Sequence, residues 1–66
     1  TMLVSPFLRF ELVNDLTGIV QAWGVVFPNG HVVVEHRNQM RMMFPTIDDL
    51  RSMIDETNIQ RINWID

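Results

Sequence analysis

Cysteine is absent from this 66-residue chain, and with it go disulfides and thiolate metal sites. Two histidines alone do not make a structural zinc site, which takes four Cys or His ligands. Lysine is absent too: the five basic residues are all arginine, and eight acids leave a net charge of −3. Such a chain fits nucleic acid poorly, because basic patches supply most of that affinity. No apolar run approaches the ~20 residues of a membrane span, and no signal-peptide pattern opens the chain. Glycine is scarce. Gly18, Gly24 and Gly30 fall at turns or within a strand, so no glycine-rich phosphate loop can be assembled. No Ser-His-Asp or Cys-His set has supporting context, and the chain reads as a non-enzyme with no implied cofactor.

What is present is apolar. Hydrophobic residues make up 47% of the chain, which argues for a folded domain over disorder. One domain is expected over residues 2–66 of a soluble, cytoplasmic protein, with Thr1 set aside as a residue left over from expression. A chain this short buries only about 60% of the surface its unfolded form exposes. Without disulfides or a structural metal, small scaffolds gain from oligomerisation or an unusually good core.

Leu8 to Val13 alternates Leu8, Phe10 and Leu12 against Arg9 and Glu11, the period of a strand with one buried face. Pro6 stands where a strand can begin. "NDLTG", residues 14–18, is a turn, and Ile19 to Phe27 is a second strand rich in β-branched and aromatic residues. The next turn can be built two ways. Asn29-Gly30 alone makes a two-residue type I′ loop; Pro28-Asn29-Gly30 makes a type I turn closed by a G1 bulge. The first places Trp23, Val25 and Phe27 on one face with Val32, Val34 and His36; the second places them with His31, Val33 and Glu35. Pro28 at its preferred φ favours the bulge, whereas the hydrophobic pattern leans toward type I′.

His31 to His36 forms a third strand, "RNQ" at 37–39 a polar turn, and Met40 to Phe44 a short fourth strand ended by Pro45. Residues 46–55 are the only credible helix. Thr46 can cap it, Asp49 mimics a capping box, and Ile47, Leu50 and Ile54 form one narrow apolar stripe with Met53 at its edge. Residues 57–66 return as a final strand, with Ile59 and Ile65 facing one way and Ile62 and Trp64 the other. The predicted fold is α+β: a single, mostly antiparallel sheet of four to five strands, with one short helix between the last two strands (β-β-β-β-α-β).

A single helix covers one face of that sheet. Strands two to four are apolar on both faces, unlike a sheet that meets water on one side, and soluble monomers rarely expose large apolar patches. A homodimer packed by sheet faces or edges is therefore expected, with Trp23, Val25, Phe27, Val33, Met40 and Met42 at the interface and a further protein partner as a second use of that surface. A self-contained alternative folds "MLVSPF", residues 2–7, over the sheet as a half-barrel. Met40, Met42 and Met43 suit either an adaptable interface or core filling.

Three other groupings could carry chemistry. Arg37 and Arg41 beside an aromatic such as Trp64 could bind a small anion, a nucleotide or single-stranded nucleic acid; solvated arginines paired with acids across strands are the preferred reading. His31, Glu35 and His36 invite a metal reading, but on a strand His36 points away from the other two. Asp48, Asp49, Asp55 and Glu56 sit at the helix ends, where capping and solvation explain them. Taken together, "GVVFPNGHVVVEH", "TIDDLRSM" and "TNIQRINWID" resemble a loose group of small bacterial and phage-type proteins of uncharacterised function. These share a Phe-Pro-Asp/Asn-Gly hairpin, a Ser/Thr-capped helix and a C-terminal Trp-hydrophobic-Asp. The resemblance spans residues 24–66, implies a compact α+β fold, and transfers no functional residue.

Overall fold

The structure, a computed structural model, describes residues 7–57 and 59–65. Thr1, Pro6, the bulk of the "MLVSPF" segment and the last residue of the chain lie outside the described residues. In chain order the elements are β1 (Leu8–Asn14), β2 (Val20–Val26), β3 (Val32–His36), β4 (Arg41–Phe44), α1 (Ile47–Thr57) and β5 (Gln60–Trp64). The strands form one antiparallel sheet in the order β4-β3-β2-β1-β5, so β4 and β5 are its edges and α1 joins them.

Register decides which side chains the helix covers. Phe10 pairs with Gly24 and Trp64, Gly24 with Val34, and Val34 with Met42. Leu12 pairs with Ala22 and Ile62, and Ala22 with His36. These residues share one face, where Phe10, Leu12, Ala22, Val32, Val34, Leu50 and Ile54 make the core. Val26, Phe44, Ile47, Met53 and Ile62 pack against it. Ile62 and Trp64 face this core, with the Trp64 ring edge-to-face on Phe10 at 5.3 Å. Gly24 marks a close approach from the neighbouring strand: Phe10 lies over it. The final strand is shorter than predicted, because α1 runs on to Thr57.

The β2–β3 turn takes the bulged form. The Phe27 N–H donates to the His31 carbonyl at 2.8 Å, the Gly30 N–H donates to the Phe27 carbonyl at 2.8 Å, and Gly30 has φ +91°. Pro28 outweighs the hydrophobic pattern here because its ring fixes the φ that the second turn position needs. The β3–β4 turn repeats this geometry. His36 N–H donates to the Met40 carbonyl, Gln39 N–H donates to the His36 carbonyl, and Gln39 takes φ +71° where the first turn has glycine. Asn29 and Asn38 hold equivalent places, accepting from the His31 and Met40 N–H groups through their side-chain oxygens. A third irregularity sits in β2, where the register shifts between Leu12 and Val13 and Gln21 is left as the extra residue.

The helix start is a reciprocal cap. Asp49 N–H donates to Thr46 Oγ1 at 3.4 Å, while Asp49 Oδ2 accepts from the Thr46 N–H and hydroxyl at 3.2 and 2.9 Å. Asp48 and Asp49 also suit the positive end of the helix dipole. Among the described residues no helix is long and apolar enough to cross a membrane.

Candidate interaction surface

On the face turned away from α1, two rows of side chains cross the sheet. One is Arg9, Val25, Val33 and Met43, paired successively from β1 to β4. The other is Asn63, Glu11, Trp23, Glu35 and Arg41, running from β5 to β4. The bulged hairpin creates both rows, since one residue of slip would send Val33 inward and Val32 outward. No helix or strand among the described residues lies over this face. Trp23 is 46% exposed and Met43 74%, while Val25 and Val33 are half-buried by their neighbours. A groove of about 260 Å³ runs along it, lined by Trp23, Val25, Phe27, Val33 and Glu35.

The rim is charged and mixed in sign. Arg41 meets Glu35 at 3.3 Å, Arg61 meets Asp15 at 2.8 Å, and Glu11 accepts a hydrogen bond from Asn63 at 2.8 Å. The Arg37 guanidinium lies 5.6 Å from the centre of the Trp23 ring, and its Nε donates to the Val20 carbonyl. That contact is a cation–π stack, which holds the indole in place while leaving much of it open to solvent. Phe7 meets Phe27 edge-to-face at 5.6 Å and extends the apolar surface toward the β2–β3 turn.

Of the predicted interface residues, the fold gathers Trp23, Val25 and Val33 on this face, with Phe27 at its border. Met42 lies on the other face, paired with Val34 toward the helix, and Met40 sits in the β3–β4 turn, 57% exposed. Met43 takes the place beside Val33 instead, which the strand alternation of "MRMMF" would have given once the register was known.

The three residues of the anion-binding reading do not converge. Arg37 lies over Trp23 and Arg41, two strands away on the same face, pairs with Glu35, whereas Trp64 is on the opposite face and the opposite edge strand. The metal reading fares likewise. Glu35 faces outward opposite Trp23, His36 faces the helix side opposite Ala22, and His31 precedes the strand with its Nδ1 3.3 Å from Asn29 Nδ2. No group of three His, Cys, Asp or Glu among the described residues is placed to hold a metal ion. Comparison with protein-family models, with curated proteins and with solved structures finds no match for the chain.

Proposed function

We propose that this protein is a non-catalytic interaction protein that acts in the cytoplasm as a homodimer, its two sheets packed through the faces that carry Trp23, Val25, Val33 and Met43. The observation behind this reading is the unbroken apolar row Val25-Val33-Met43 beside Trp23, on a sheet whose single helix is committed to the other side. Water-facing antiparallel sheets turn polar residues outward, and here Trp23, Val25, Val33 and Met43 take most of those positions from β2 to β4, beside Glu35 and Arg41.

The face is small. Five strands at ~4.8 Å spacing and about six residues at ~3.3 Å give a face of roughly 24 by 20 Å. That projection, about 480 Å², is smaller than the ~800 Å² per partner of a standard interface, so the contact would be a compact one extended by the charged rim. Charge favours a second copy over nucleic acid. A two-fold interface sets a surface against itself, and a rim with Glu11 and Glu35 as well as Arg9 and Arg41 is complementary to its own image.

Size-exclusion chromatography with light scattering tests the reading. A mass near 15–16 kDa at micromolar concentration is expected, twice the 7.8 kDa of the chain. A mass of one chain at that concentration would overturn it. A protein partner would then be the remaining use of the face, and co-purification would look for it.

A further inference from the structure

The helix side of the sheet holds a second feature, a crevice of about 260 Å³ at the C-terminal half of α1. His36, Asn38, Met40, Met42, Met53, Ile59 and Gln60 line it. We propose that this crevice binds one soft monovalent metal ion, Cu(I), through the thioether sulfurs of Met40, Met42 and Met53 and the Nε2 of His36. The proposal is independent of the dimer, whose face lies on the other side of the sheet.

Register brings the donors together from three elements. His36 and Met40 face each other across the β3–β4 turn, since the His36 N–H bonds to the Met40 carbonyl. Met42 follows Met40 by two residues and so shares its side of the strand. Met53 comes from α1, at the border of the stripe that packs on the core. Cross-strand and next-but-one neighbours such as His36, Met40 and Met42 lie within about 5–8 Å at Cβ, a span that flexible thioethers can close, and Met53 lines the same crevice from the helix.

The His36 imidazole supplies the second observation. Its Nε2 is the one buried side-chain nitrogen or oxygen among the described residues without a hydrogen-bond partner. A buried polar atom left so is unusual and asks for an unseen ligand. The donor set then selects the ion. Three soft thioethers and one imidazole, all neutral, make a combination that favours Cu(I). Asn38 and Gln60 are the remaining polar lining residues and no carboxylate is among them, so a hard divalent cation finds nothing to neutralise it.

The ion enters and leaves as Cu(I), with no electron transferred. Two titrations of the intact chain test this. In the first, Cu(I) under anaerobic reducing conditions is set against a chromogenic chelator. One equivalent is expected to pass to the protein, and His36→Leu and Met42→Leu are each expected to weaken binding at least tenfold. Leucine holds the methionine volume, so the fold survives that change. In the second, the redox-inert surrogate Ag(I) is added to the unmutated protein and methionine methyl resonances are followed. Met40, Met42 and Met53 should shift together at one equivalent, leaving Met43 on the opposite face unmoved. Failure to draw Cu(I) from the chelator, a shift of Met43 equal to the others, or equal affinity for Zn(II) would each overturn the site.

Discussion

Gly24 is the residue on which the sheet's centre is built. It pairs with Phe10 in β1 and with Val34 in β3, and Phe10 is fully buried over it. A Cβ added at Gly24 would lie 2.1 Å from the Phe10 ring, closer than any contact a packed interior accepts. Gly24→Ala is therefore expected to force the ring aside and cost about 1–3 kcal/mol, read as a lower urea midpoint at unchanged slope. Gln39 poses the opposite case. It holds φ +71° in a turn whose twin uses Gly30, and an ordinary side chain there is strained. Gln39→Gly is expected to stabilise the fold by about 0.5–1 kcal/mol, since relief of that strain exceeds the added freedom of the unfolded chain. A loss of stability in the same denaturation experiment would show that the Gln39 side chain contributes more than its backbone costs.

Elements whose reasons are local could be read from the residues alone. The 46–55 helix follows from its cap and stripe, and the observed α1 differs at its ends, where the stripe gives no signal. Thr46→Ala removes one half of the reciprocal cap and is expected to cost about 1 kcal/mol, measured by thermal or urea unfolding. An 11-residue helix is too short to persist alone, so most of its stability comes from Leu50 and Ile54 in the core, with the cap adding a smaller share. The two bulged hairpins show where local reading stops. "PNGH" and "RNQM" fold alike because both place Asn two residues before the closing N–H. Only the first carries Pro and Gly, so only the first showed a choice of register in the sequence. The pairing of β5 with β1 was not legible at all. It joins residues some fifty apart, as Asn63 to Glu11 does, and no short-range pattern encodes which strand a returning segment will choose.

For the whole molecule the same division holds. The excess of apolar residues over what one helix can cover was plain in the sequence, and so was Trp23 with Val25; Val33 joins them only in the bulged register. Which methionine joins them was not, because Met42 and Met43 exchange faces with a single step of register. That pair now gives a sharp test of the molecule as an assembly. Met42 is half-buried on the helix side, so Met42→Glu is expected to lower stability by the same amount at every concentration. Met43 is exposed, and Met43→Glu together with Val33→Glu leaves the core intact while placing acids opposite their own copies across the two-fold. In the dimer each tenfold rise in concentration adds about 1.4 kcal/mol per dimer, enough to lift Tm by a few degrees. The double variant is expected to lose that dependence and to melt at one temperature from micromolar to near-millimolar concentration. A wild-type Tm equally indifferent to concentration would mean that the Trp23 face meets water in the free protein, and that two adjacent rows of a small sheet tolerate a valine pair, a methionine and an indole held by one arginine.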